Sequence, residues 1–397
     1  MNKRITLYLC LVLSCFSFLE AQNTVGVTLF DNSQALHGYN LFFPHRQPNV
    51  FLMDNCGRLV HHWESDSSFV PGNIAYLKEN GNVVIGYRPA DVSSDVIWAG
   101  GGGATIEERD WDNNIIWSYT LNNATQRIHH DFAVMPNGNV LAIIWDNYDS
   151  TAAVAEGRDP AFITQGAVWP DGVIELEPDG QGGANIVWEW HAWDHLVQDF
   201  DSTKNNWGDV TNPGLIDMNF RTDGNGEADW HHCNALDYNA ELDHIMLSCP
   251  EYDEIWIIDH STTTAEAATD MGGTAGKGGN LIYRWGNPQA YSSGDSTDRQ
   301  LFYQHDTHWM DLQLTSSDPN FGKIMLYNNQ VGADYSHVNI LNPVWNSSTN
   351  SYEMIGNVYG PAGFDWTYEA SPRESMHSTG LSSAQRMKNG NTLITVG

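Results

Sequence analysis

Residues 135–145 read MPNGNVLAIIW, a turn dipeptide followed by an apolar run. Two other stretches repeat it: LKENGNVVIGY at 77–87 and MKNGNTLITVG at 387–397. Asn-Gly suits a type I′ turn, in which both central residues take positive φ and the twist matches two antiparallel strands. LDYNAELDHIMLS from Leu236 and LTSSDPNFGKIMLY from Leu314 carry the same hairpin with altered turns.

A second unit alternates with the first, a strand holding Trp with another aromatic residue nearby. It reads LVHHWES (59–65), IIWSYTL (115–121), IVWEWHA (186–192), LIYRWGN (281–287) and FDWTYEA (364–370). No stretch carries a convincing amphipathic helical period. Two kinds of hairpin alternating at a long period are the signature of a β-propeller, whose four-stranded blades surround a channel. The expected fold is therefore all-β, a six-bladed β-propeller with blades starting near residues 38, 73, 128, 231, 305 and 380. The last blade has its Asn-Gly hairpin but no aromatic hairpin before Gly397, so it is expected to be incomplete: either the N-terminal strands close it or, the favoured reading, the chain is cut short.

The opening MNKRITLYLCLVLSCFSFLEAQ differs from the rest. Lys3 and Arg4 precede an apolar run from Ile5 to Leu19, and Ala21 is a small residue at a cleavage point. This predicts a signal peptide over 1–21, a propeller domain over 22–397, and export to a periplasm or the outside. A lipoprotein signal at Leu13-Ser14-Cys15 is the weaker alternative. The run is short for a membrane span, and no later stretch resembles one. The formal net charge of −31 argues against nucleic acid and anionic membranes as partners. Cleavage would leave Cys56, Cys233 and Cys249. Counting from Glu241 sets Cys233 across from Cys249, where a disulfide is an open option, and His232 across from Pro250.

The innermost strand of each propeller blade lines the channel. Counting back seven residues from the turn asparagine reaches His130 in one blade and His232 in the next. QHDTHWMDL sets His305 at the matching point of a third. Asn73 and Ser382 occupy this position in the other two Asn-Gly blades. Side chains alternate faces along a strand, so His129 and His231 should point away. A single His beside a Trp is most often a hydrogen-bonded core residue, but three in register point to a site. His61-His62 falls in an aromatic outer hairpin and reads as packing. Three imidazoles are also a zinc set, against which stands the absence of any HExxH spacing. DGNGEADW (223–230) departs from a calcium loop at Ala228 and Asn234.

These motifs carry a resemblance. DWHHCNALDYNAELDHIMLS (229–248), EIWIIDHSTT (254–263), LIYRWGNPQAY (281–291) and LFYQHDTHW (301–309) resemble the PAPS-independent arylsulfate sulfotransferases. HHDFAVMPNGNVL and SSAQRMKNGNTLI are similar to the same family, and the likeness runs from about Gly38 to the end. The resemblance implies a six-bladed propeller, export, and ping-pong sulfuryl transfer from an aryl sulfate to a phenol through a transiently sulfated histidine. It implies that His305 is the nucleophile and that His232 and His130 are further active-site histidines. No metal or cofactor is needed for that chemistry. Where the family carries Arg after the DWxHxN hairpin, this chain reads LSCPEYDEIW and has Pro250. Arg284, Arg127, Arg299 or His308 are the candidate replacements, and Arg284, His308, Trp309 and Asn234 are expected to bind substrate. Asp306 is either an orienter of an imidazole or a solvated carboxylate. The other function classes left open are a non-catalytic propeller that binds a small aromatic or glycan ligand, and a metal-dependent hydrolase on the same histidines. A homo-oligomer is also left open.

Overall fold

A computed structural model describes residues 27, 29–44, 47–65, 68–220, 227–310 and 314–397. The expected signal peptide over 1–21, residues 223–226 of the acidic 223–230 stretch and the side chain of Asn73 lie outside the described residues. The architecture is all-β, and each main sheet is an antiparallel meander in chain order. The first sheet has three strands, Tyr39–Phe42, Asn49–Asp54 and Leu59–Glu64. The second has four, Phe69–Leu77, Val83–Pro89, Thr105–Arg109 and Ile115–Thr120. The third runs Gln126–Val134, Val140–Asp146, Asp171–Pro178, Ala184–His191. The fourth is Ala235–Asn239, His244–Cys249, Glu254–Asp259, Tyr283–Trp285. The fifth is His305–Trp309, Ile324–Gly332, Tyr335–Leu341, Trp366–Tyr368. A two-stranded hairpin, Ser383–Arg386 with Thr392–Thr395, follows.

Among the described residues this is a propeller arrangement of five blades followed by a two-stranded hairpin, so the expected count of six blades, the last incomplete, is not met. The aromatic stretches form the last strand of each blade, as their spacing predicts. The Asn-Gly pairs do form the inner turns, but not as type I′. Only the glycines take positive φ, at 88°, 93° and 86° for Gly81, Gly138 and Gly390. Each preceding Asn stays out of that region because its Oδ1 accepts from the N–H two residues on, at 3.0, 2.9 and 3.1 Å for Asn80, Asn137 and Asn389.

Apolar side chains pack between neighbouring sheets, which fixes their order around the ring. Val50 and Trp63 of the first meet Ile85 of the second. Ile106 meets Phe132 and Ile144 of the third, Trp190 meets Leu247 of the fourth, and Ile257 meets Leu326 of the fifth. Tyr327 and Ile340 meet Ala384 of the hairpin. The Asn389 and Asn391 amides donate to the Gln34 carbonyl at 3.0 and 2.8 Å, tying the hairpin to the segment that leads into the first sheet.

Carboxylates reinforce the sequence of inner strands. Asp131 accepts from the Leu236 N–H, Asp237 from the Trp309 N–H and Asp306 from the Ala384 N–H, at 2.9, 2.6 and 2.8 Å. Each bond ties one innermost strand to the next, and so holds the histidines of three blades in mutual register. Burying Asp131 pushes its pKa up to about 7, even though the Leu236 and Phe132 N–H groups oppose the shift.

Candidate active site

The two doublets of the third and fourth blades meet at one point. His130 and His232 cross edge to face, with ring centroids 4.5 Å apart and planes at 79°. Simple alternation along a strand does not produce this. The pairing of the Gln126–Val134 strand breaks between Ile128 and Phe132, and His130 sits in that bulge at φ 49°. His232 precedes its strand at φ 54°. A non-glycine residue in the left-handed region costs about 1–3 kcal/mol, and such strain persists where the surroundings over-determine it.

The first histidine of each doublet is fully buried, and one carboxylate lies between them. His129 stacks on Trp145 with centroids 3.9 Å apart and places Nε2 2.9 Å from Asp171 Oδ1. His231 Nδ1 stands 3.4 Å from Asp171 Oδ2. The doublets therefore split as expected, with His130 and His232 turned together and His129 and His231 held behind them. Burial depresses the pKa of His129 to about 3 and carries His130 well down, with the neighbouring imidazoles adding to the effect on His130. His232 is the opposite case. Burial would lower it, but Asp229, whose Oδ2 lies 2.5 Å from Nδ1, raises it to about 9.

His305 opens the fifth blade. Its Nδ1 lies 3.0 Å from Asn329 Oδ1 and 3.2 Å from the Tyr303 carbonyl. Burial depresses its pKa to about 4 against the opposing pull of Asn329, and the charge of His232 adds to the depression. His305 likewise acts on His130, so the three imidazoles expected from the register share one electrostatic neighbourhood. Tyr303, at φ 55°, places its ring 5.7 Å from that of His305. Burial raises its phenol pKa, and the carboxylates Glu251 and Asp229 raise it further.

Glycines let the rings approach. A Cβ on Gly101 would sit 2.0 Å from His130 Nε2, and Gly101 holds φ 77°. Its carbonyl also accepts the His130 N–H at 2.7 Å. Gly380 lies beside His305, where a Cβ would make an ordinary contact 3.4 Å from Cε1. The sequence reading missed Gly101, Tyr303, Asn329 and Asp171. The run Gly100–Gly103 was a visible signal for the first; the others carry none locally.

The remaining expected residues have other roles. Asn234 donates its amide to the Gln304 carbonyl at 2.8 Å, bridging the fourth and fifth blades beside His232 and His305. His308 Nδ1–H donates to the Asp306 carbonyl at 2.9 Å, and the Asp306 carboxylate is a blade-to-blade tie. Trp309 is core, packed among Met246, Ile324 and Leu326, because the bulge between His305 and His308 turns it from the histidines. Arg284 is fully buried in an ion pair with Glu254, donates to the Leu215 carbonyl at 2.8 Å and lies over Tyr291. Arg127 pairs with Asp95 at 2.5 Å and Arg299 with Asp253 at 2.8 Å. Arg284, Arg127 and Arg299 are thus each held by a carboxylate rather than presented to the site.

The hairpin register also differs by one residue from the count about Glu241. Ala235 pairs with Ser248 and Asn239 with His244, because the loop has four residues, 240–243, and its centre falls between two of them. Continuing that register sets His232 level with Glu251, not Pro250. Cys233 and Cys249 are buried free thiols. Among the described residues, no group of three or more His, Cys, Asp or Glu side chains could hold a metal ion.

The arylsulfotransferase family profile matches residues 27–397. The chain belongs to the arylsulfotransferase family. No curated protein matches it. Among solved structures, it is similar to a Bacteroides caccae protein of unknown function, at 8% identity and a TM-score of 0.40 over 85% of this chain and 75% of that one. A Dyadobacter fermentans protein of unknown function gives 10% identity and 0.40 over 84% and 76%. A luciferin-regenerating enzyme gives 10% and 0.38 over 89% and 80%. At these scores the structural likenesses carry no argument. Arylsulfotransferase membership points to aryl sulfates and phenols as the small molecules handled.

Proposed function

We propose that the chain moves a sulfuryl group from an aryl sulfate to a phenol in two steps, with His305 carrying the group between them. The contact with Asn329 is the observation that supports this most. The Asn329 amide nitrogen is directed at Ser382 Oγ (2.7 Å) and the Ser378 carbonyl (3.3 Å), so its oxygen faces His305. A carbonyl oxygen only accepts, so the neutral His305 carries its proton on Nδ1 and leaves a lone pair on Nε2. With a pKa near 4 the ring is neutral at ordinary pH and is a competent nucleophile.

In the first step Nε2 bonds to sulfur as the S–O(aryl) bond breaks, and the electron pair leaves on the phenolate oxygen. The ring keeps its Nδ1–H against Asn329 and becomes cationic, which weakens the new N–S bond. In the second step an acceptor phenolate oxygen bonds to sulfur as the N–S bond breaks, and the electron pair returns to Nε2 and restores neutral His305. His232, with a pKa of about 9, supplies the positive charge for the sulfuryl oxygens. It thereby takes over the work of the family arginine, whose place is held by Pro250.

Two further readings accompany this one. The hairpin over Ser383–Arg386 and Thr392–Thr395 is the inner half of a sixth blade, supported by its packing on the fifth and its bonds to Gln34. The chain is exported, supported by Lys3, Arg4 and the apolar run to Leu19; N-terminal sequencing of the mature protein tests this at Ala21. For the reaction, p-nitrophenyl sulfate with a phenol acceptor should be turned over by the native protein and not by His305→Gln. Equal turnover by the two would end the His305 mechanism.

A further inference from the structure

Residues 299–304 form a strap that leads into His305, and its members are gripped from two blades. The Phe302 N–H donates to Asn328 Oδ1 of the fifth blade at 2.8 Å. The next two residues are held by the fourth blade. The Tyr303 N–H donates to Asp253 Oδ1 at 2.7 Å, and the Gln304 side-chain amide donates to the Glu254 carbonyl at 2.8 Å. Arg299 Nη1 donates to the other Asp253 oxygen, Oδ2, at 2.8 Å. Asp253 stands just before the third strand of the fourth blade, Glu254–Asp259. One blade thus fixes the residues that deliver the nucleophile of the next.

The backbone at this point is far from ordinary. Tyr303 holds φ 55°, a region where a bulky aromatic residue is an outlier and stays only if its surroundings keep it there. Asp306, on the other side of His305, holds φ 53° and is tied by its bond from the Ala384 N–H. The chain therefore enters and leaves His305 through left-handed residues, each secured by a hydrogen bond between neighbouring strands of the ring. Asp253 is buried, which pushes its pKa up to about 6 against the pull of the Tyr303 N–H and Arg299. It is ionised at neutral pH, so its bond to Tyr303 is charge-assisted. The Tyr303 carbonyl in turn accepts from His305 Nδ1–H at 3.2 Å, beside Asn329 Oδ1 at 3.0 Å.

We propose, on the basis of the two-step reading above, that Asp253, braced by Arg299, is a positioning residue that holds Tyr303 left-handed and so aims His305 Nε2 at the sulfuryl sulfur. Asp253 acts only through the Tyr303 backbone. Without the tether Tyr303 relaxes toward negative φ, its carbonyl leaves Nδ1, and the imidazole turns about the single acceptor Asn329. Arg299, expected as a cation for the sulfuryl oxygens, serves instead as the brace of this clamp.

A double-mutant cycle on kcat, read at saturating p-nitrophenyl sulfate and phenol, tests the clamp. Asp253→Ala should lower kcat about 10²-fold, the scale of a misplaced reacting group. Tyr303→Gly removes the need for a tether, because glycine takes positive φ readily. Asp253→Ala added to Tyr303→Gly should therefore lower kcat by less than about 3-fold more. A purely structural Asp253 would not couple to Tyr303 in this way, and an equal loss in both backgrounds would overturn the proposal. Asp253→Asn keeps an acceptor oxygen in place and should lose at most about 5-fold; a loss as large as that of alanine would also overturn it. Amide hydrogen exchange of the unliganded protein gives a readout independent of turnover. The Tyr303 N–H should exchange slowly in the native protein and in Asp253→Asn, and at least about 10-fold faster in Asp253→Ala. An unchanged rate in Asp253→Ala would remove Asp253 as the tether. If the native protein turned over no aryl sulfate, the two-step reading would fail, while the exchange rates would still decide whether Asp253 sets the Tyr303 turn.

Discussion

His61-His62 and His129-His130 are the same dipeptide at two places in a blade. The first lies on Leu59–Glu64, the outer strand of the first sheet, with its rings 6.3 Å apart. His61 stacks on Trp111 at 4.1 Å and His62 lies near Phe51. The second lies on an inner strand at a bulge, where positive φ at His130 brings the two Nδ1 atoms within 2.8 Å. An extended strand separates two neighbouring histidines onto opposite faces and makes them packing groups. A bulge turns them toward each other and brings the second against His232 of the next blade.

The largest effect that would break this contrast is at His305. His305→Gln should lower turnover at least about 10³-fold, as loss of a covalent nucleophile does, whereas His61→Gln should leave turnover unchanged. Next is Gly101→Ala. Its Cβ would meet His130 Nε2 at 2.0 Å and must displace the ring, so turnover should fall about 10²-fold, and the strain of a side chain at φ 77° should lower the melting temperature as well. A native rate in this variant would remove His130 from the mechanism.

The third effect is a shift in pH. Asp229 raises His232 to about 9, so the imidazolium, and the stability and donor binding it contributes, is present below the ordinary value near 6.5 and is lost as pH rises through 9. In Asp229→Asn the loss should move down toward 6.5, seen as a rise of KM for the aryl sulfate between pH 7 and 9. An unmoved profile would mean that His232 does not hold the sulfuryl oxygens. The smallest effect is at His62, on the outer strand, where replacement by Ala should change stability by less than about 0.5 kcal/mol in a denaturant titration.

The same contrast explains what the sequence could tell. Asn-Gly hairpins, aromatic last strands and the seven-residue count were legible because each depends on residues close in the chain. They were enough to bring His130, His232 and His305 to one neighbourhood. Asn329 was not legible, because it lies 24 residues from His305 on the adjoining strand. Asp171 was hidden for the same reason, since it reaches His129 across the sheet and His231 across a blade boundary. Trp309 and Arg284 were misplaced by the opposite error. Each sits in a motif that resembles the family, but the bulge after His305 sends Trp309 to the core and Glu254 draws Arg284 into a buried pair. Even the histidine split was reached by an incomplete argument, since alternation alone ignores the positive φ that makes the rings meet.

The central claim is that His305 carries the sulfuryl group. Mass spectrometry of protein mixed with an aryl sulfate and no acceptor tests it most directly. The account predicts a sulfated peptide spanning QHDTHW, with the group on His305, that disappears when a phenol is added. Release of the donor phenol with that peptide unmodified, or the group found on another histidine, would contradict it.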